Sequence, residues 1–140
     1  MNLLRFRIEK SVFSIRTDGI IKIVGRVDLL ERQRLLQNST SESENMNIKV
    51  LNIRKLLNLH NKNKRNPRII FINSISIPYG ILVDEILHIG DGFVREFKTP
   101  VPIIKGIDPN VIEGFEVFMN EVSIVLDCDS LIRSFGRMTL

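Results

Sequence analysis

The sequence predicts a mainly β fold of two small packed barrels with short helices, and three observations predict it. The apolar residues are chiefly Ile, Leu and Val with eight Phe, one Tyr and no Trp, a set that suits pleated, half-buried surfaces. Apolar and polar residues alternate over several short runs, the period of a strand with one buried face. Finally, the two halves resemble each other. Phe6, Ile8, Asp18, Ile20 and Ile23 are followed at offsets of 65 or 66 by Phe71, Ile72 to Asn73, Asp84, Ile86 and Ile89. Val50-Leu51-Asn52 is followed at 75 by Val125-Leu126-Asp127. A duplicated β unit whose halves are each too small to bury much alone is the economical reading.

Each element has its own signal. Leu4, Phe6 and Ile8 alternate with Arg5, Arg7 and Glu9, and Phe13 and Ile15 with Ser14 and Arg16, which reads as a hairpin. Asp18-Gly19 is a turn pair, after which Ile20 to Val24 makes a third strand. Residues 37–47 are rich in Ser, Asn and Glu without apolar periodicity, the composition of a mobile loop. Ile48 to Leu51 forms a short strand, and Asn52 caps a brief helix that carries Leu56 and Leu57 inward. Ile69 to Ile72 is a strand, and Ser76 to Ile89 a long extended segment whose Pro78 must sit at an edge or bulge. Gly90 to Gly92 breaks it.

Asp108, Pro109 and Gly114 spell an N-cap, a proline at the first helical position and a left-handed stop, hence one short helix. Phe115 to Leu126 alternates as a final hairpin turning near Asn120, and Asp127 or Asp129 caps a closing helix that ends before Gly136.

At 140 residues and 44% hydrophobic, the chain supports one domain with a real core. Cys128 is the only cysteine, so no internal disulfide forms and Cys-rich zinc sites are excluded. The start lacks the pattern of an export signal, and Asp84, Glu85 and Asp91 interrupt the most apolar region, so membrane insertion is not expected and a cytoplasmic location is. The net charge of +4 is segregated: residues 1–67 carry 14 Lys/Arg against 6 Asp/Glu, residues 68–140 carry 6 against 10. The basic run His60 to Asn66 suits a solvated loop. Using Lys62, Lys64 and Arg65, it would alternatively make a nucleic-acid-binding barrel, but it holds no aromatic for base stacking.

Chemistry is thin. His60 precedes a basic loop, and His88 in an apolar strand reads as structural. Cys128, at a helix start among apolar neighbours, reads as a small hydrophobe. Asp84 and Glu85 are adjacent on a strand and point to opposite faces, and Asp127 with Asp129 looks like capping. Gly90-Asp91-Gly92 lacks the helix and lysine of a phosphate cradle. No enzyme, catalytic residue, metal or cofactor is expected.

From Leu3 to Phe135 the order of features resembles the CheW-like domain. The resemblance rests on Leu4-Arg5-Phe6-Arg7-Ile8, on Val50-Leu51-Asn52-Ile53-Arg54-Lys55-Leu56-Leu57, and above all on Gly80-Ile81-Leu82-Val83-Asp84-Glu85-Ile86. Ile107, Gly114 and Val122 to Leu131 complete it. It implies two packed five-stranded, SH3-like barrels. It also implies a non-catalytic bacterial adaptor that couples the cytoplasmic tips of methyl-accepting chemoreceptors to the regulatory domain of a CheA-type histidine kinase in chemotaxis or motility signalling.

Three departures mark a divergent member. Asn38 to Asn47 stands in place of a Gly-Val-x-Asn-Leu-Arg-Gly stretch, Lys22 in place of an acidic residue and Asn52 in place of aspartate. Two partner-binding surfaces are expected: a groove between the barrels lined by Ile20, Ile23 and Arg54, and an exposed strand edge or apolar patch near Ile81 and Val83.

Overall fold

In a computed structural model the described residues are 1–24, 40–42, 49–54, 56–57, 59, 67–73, 78–96 and 109–139. The strands are β1 (Asn2–Ile8), β2 (Ser11–Arg16), β3 (Ile20–Val24), β4 (Thr40–Glu42), β5 (Lys49–Leu51), β6 (Arg68–Asn73), β7 (Pro78–Val83), β8 (Glu85–Asp91), β9 (Ile112–Phe118) and β10 (Glu121–Leu126). Among the described residues one α-helix, α1 (Cys128–Thr139), follows, with 3₁₀ turns at Thr17–Gly19 and Pro109–Val111.

The strands form two five-stranded sheets, in the orders β8-β1-β2-β10-β9 and β3-β6-β7-β5-β4. These are one order written twice. The hairpin β1–β2 corresponds to β6–β7, and each half sends its third strand to the other sheet: β3 pairs with β6, while β8 pairs with β1. The register repeats at a constant offset of 66. Ile20 faces Ile72 and Lys22 faces Phe71 in the second sheet; Ile86 faces Phe6 and His88 faces Arg5 in the first, with the same irregularity between the two pairs. The 75-residue offset is also kept, since Val50 lies beside Gly80 as Val125 lies beside Ser14, both in parallel pairing. The expected equivalence of Phe6 with Phe71 is corrected by one residue: Phe6 corresponds to Ile72 and Arg5 to Phe71. A one-residue slip exchanges the faces of a strand, so this small error reverses which side chain points where.

Two expectations about architecture change. The ladders give open five-stranded orders, and among the described residues the first sheet's edges meet only at the bridge between Arg95 and Phe115. The short helices reduce to one α-helix and two 3₁₀ turns among the described residues. The segment after β5 is a turn held by Leu57 N–H to Ile53 O (3.0 Å) and Leu59 N–H to Arg54 O (2.8 Å), because so few residues cannot repay helix nucleation. Gly114 is no helix stop. It lies buried within β9, where a Cβ would stand 2.3 Å from Arg95 O, so glycine is required by close approach of the bridged chain. The helix does not end before Gly136 but runs to Thr139. Residues 40–42 of the expected loop form β4, paired with β5; the rest of 37–47, like Asp108, lies outside the described residues.

One core joins the sheets. Leu4, Phe6, Phe13 and Ile15 from the first meet Ile70, Ile72, Tyr79 and Ile81 from the second, with Leu126 and Leu131. Sheet side chains alternate, so each sheet has a second inner face. In the second sheet it is apolar: Val50, Ile69, Phe71 and Leu82. In the first it holds Arg5, Ser14, Glu116 and Ser123 among the apolar Leu3, Val12 and Val125, all buried.

Candidate functional site

The junctions between the sheets are built from the residues that leave each strand. Asp84 interrupts the chain between β7 and β8 as it crosses from one sheet to the other, and its backbone N–H donates to Arg7 O (3.0 Å). Its carboxylate is paired with the Arg54 guanidinium and also accepts the backbone N–H of Glu9 (2.7 Å). Asn52 Oδ1 accepts from both the backbone N and Nη1 of Arg54, each at 3.3 Å. Arg54 is therefore a clamp sealed inside this junction, with 1% of its side chain exposed.

The other sequence-predicted residues divide. Ile20 and Ile23 lie half-buried on β3, an edge strand of the second sheet, packed against the common core. Ile81 and Val83 are fully buried, and β7 is paired on both sides, so the expected exposed edge is not there. The reason is positional: the Gly-Ile-Leu-Val run is a central strand with side chains filling both inner faces. His60, Lys62, Lys64 and Arg65 lie outside the described residues. Phe6 and Phe71 are buried, Phe115 and Phe118 half-buried.

Apart from Ile21 on β3, the most exposed large apolar groups occur elsewhere, a feature the sequence reading missed. Phe93 (75%), Val117 (66%) and Met119 (80%) line a cleft of about 480 Å³ where β8 and β9 fail to join. The readable signal was the hairpin run Val117 to Val122, which is apolar on a face that the core does not need. Beneath this cleft Arg5 holds Glu116 by two hydrogen bonds (2.7 and 3.0 Å) and reaches Asp91 O (2.9 Å) and His88 Nδ1 (2.9 Å), with the Phe118 ring 4.4 Å from its guanidinium carbon.

A second cleft, about 510 Å³, lies between the turn at Asp18 and the start of α1, lined also by Arg16, Glu113, Asp127 and Asp129. Arg16 is ion-paired with Glu113. Asp127 Oδ1 caps α1 by accepting from the backbone N of Asp129 and of Ser130, both 3.1 Å, as its spacing predicts. Burial pushes the Cys128 thiol up to about 12, with Asp127, Asp129 and Asp18 adding to the rise, so the nucleophilic thiolate is disfavoured. Tyr79 Oη donates to Cys128 O (2.7 Å), and burial raises its hydroxyl well above the usual phenol range. Among the described residues no three His, Cys, Asp or Glu side chains are placed to hold a metal ion, and no helix is long and apolar enough to cross a membrane.

Comparison with known proteins places this arrangement in a family. The chain is similar in fold to the scaffolding protein TtCheW from Thermoanaerobacter tengcongensis, whose crystal structure superimposes with a TM-score of 0.68 at 15% identity over 93% of this chain and 86% of that one. No curated protein matches it. The profile of the CheW-like domain matches residues 2–136, almost the whole length, and the chain belongs to the CheW-like domain family.

Proposed function

We propose that this chain is a non-catalytic cytoplasmic adaptor that couples the signalling tips of methyl-accepting chemoreceptors to the regulatory domain of a CheA-type histidine kinase. The observation that carries the reading is the match to the CheW-like domain over residues 2–136. The architecture supports it: two five-stranded sheets carrying exposed apolar side chains, and a half-buried thiol that is held protonated. Contact on the second sheet is assigned to β3, where Ile21 is 46% exposed between the half-buried Ile20 and Ile23. Arg54, Ile81 and Val83 support that surface from within, Arg54 by fixing the junction and the other two by filling the core.

Gel filtration of the full chain with the kinase regulatory domain, and separately with a receptor cytoplasmic fragment, is the test. A co-eluting complex with each is expected. Ile21→Asp, which leaves the core intact, should weaken one of the two complexes. Failure of the unmodified chain to bind either partner removes the adaptor reading.

A further inference from the structure

Arg5, on β1, ties together the two strands that fail to join in the first sheet. It holds Glu116 on β9 and the carbonyls of Gly90 and Asp91 on β8, and its Nη1 also meets His88 Nδ1 at 2.9 Å. An arginine only donates, so His88 must accept at Nδ1 and carry its one proton on Nε2, which makes it the neutral imidazole. The ring has a prepared seat. Its floor is Gly90, where a Cβ would stand 2.5 Å from His88 Cε1, and its wall is the Phe118 ring, 5.2 Å away between centroids. The sister sheet carries the alternative: at the register position of His88 stands Lys22, a permanent cation, and it faces Phe71 where His88 faces a guanidinium.

We propose that His88 is a proton-operated latch on the cleft between β8 and β9. Neutral, it closes over Arg5 and Phe118. On taking up a proton it loses its acceptor at Nδ1 and becomes a second cation against the guanidinium. The charged groups around the ring are Arg5 from β1, Glu116 from β9, and Asp91 and Arg95 at the end of β8 and just beyond it. Both carboxylates are already engaged, Glu116 by Arg5 and Asp91 by the Met1 ammonium. The protonated ring therefore turns out into solvent, which its exposed position allows, and uncovers Phe118 in the cleft that Phe93, Val117 and Met119 also line. Acid thus enlarges the apolar surface here, and neutral pH covers it. Neither kinase nor receptor enters the latch, so it stands apart from the adaptor reading.

The test is NMR spectroscopy of the full chain across the interval in which histidine changes charge, about pH 8 to 5. At the upper end the His88 ring should carry its proton on Nε2. As the pH falls, the Phe118 ring protons and the Arg5 Nε–H should shift together with the His88 ring, at one midpoint. His88→Asn supplies an acceptor that cannot ionise and should keep these signals at their high-pH positions throughout. His88→Lys, a fixed cation as in the sister sheet, should keep them at their low-pH positions throughout. Three results overturn the proposal: a proton on Nδ1 at the upper end, Phe118 and Arg5 signals that stay still while His88 ionises, or an acid response that survives in His88→Asn, which would assign it to Glu116 or Asp91.

Discussion

The two sheets share a strand order and a register, yet the centres of their second inner faces are filled by opposite means. Where the second sheet packs Phe71 against Gly80, the first places Arg5 against Ser14 at the same two register positions. A ring over a glycine needs only shape: a Cβ on Gly80 would stand 3.0 Å from both Phe71 Cε1 and Ile69 Cγ2. A buried guanidinium needs every donor answered, and Arg5 has Glu116, His88 and two backbone carbonyls. The comparison teaches that the repeat fixes the backbone and leaves the filling free. The polar filling also constrains the chain beyond β8, which passes over the Arg5–Glu116 pair at Gly92, where a Cβ would stand 2.5 Å from Glu116 Oε2.

The largest test of this contrast removes one charge. With both side chains only 3% exposed, Arg5→Ala leaves Glu116 buried and unpaired, and the variant should lose about 3–5 kcal/mol in a urea denaturation. Replacing both, Arg5→Met with Glu116→Leu, imitates the apolar filling of the second sheet and should recover most of that loss. A double variant as unstable as the single one would show that the polar filling is not interchangeable with the apolar one.

Next in size is the converse change. Gly80→Ser gives the second sheet the residue that the first carries at Ser14, but here the added atoms meet Phe71 and Ile69 instead of an arginine. Overpacking of this kind costs about 1–3 kcal/mol. Adding Phe71→Leu should relieve part of it, and calorimetry on the two variants reads the difference.

Much of this architecture was legible in the chain. The hairpin at Leu4 to Arg16, the strand at Ile20 and the cap at Asp127 each rest on local rules, alternation or a carboxylate beside free N–H groups, and local rules survive folding. The repeat was legible too, because Asp18 with Asp84 and Ile20 with Ile86 sit at the same offset. What stayed hidden depends on partners distant in sequence. Arg5 reads as the solvent side of an alternating strand, and only the arrival of Glu116, 111 residues away, makes its burial tolerable. Gly114 reads as a helix stop until Arg95 approaches it. Ile81 and Val83 look like candidates for an edge because nothing in a strand's own residues tells whether neighbours pair on both sides.

A smaller effect probes the polar filling alone. Ser14 and Ser123 are both buried, on neighbouring strands, and Ser123 Oγ donates to Ser14 Oγ at 2.9 Å. Ser123→Ala should cost about 1 kcal/mol by leaving Ser14 short of a partner, and Ser14→Ala with Ser123→Ala together should cost less than twice that. A double-mutant cycle by urea denaturation gives the coupling; a coupling of zero would mean that water, not the serine pair, satisfies this face.

The smallest effect separates the two junctions by pH. Cys128 corresponds by the 75-residue offset to Ile53, which is fully buried and has nothing to ionise. The Cys128 thiol is raised from 9.0 to about 12, chiefly by burial, so the folded protein holds its proton more tightly than the unfolded chain does. The associated stability is complete below the unfolded value and is lost as pH rises from about 9 toward 12, with Tyr79, also raised by burial, adding to the loss. Cys128→Ile, which copies the other junction, should flatten part of this alkaline decline while leaving stability at neutral pH nearly unchanged. Denaturant midpoints measured at pH values on either side of the thiol's ordinary range decide it: parallel pH profiles for the variant and the unmodified chain would assign the decline to Tyr79 alone and leave the two junctions equivalent in this respect.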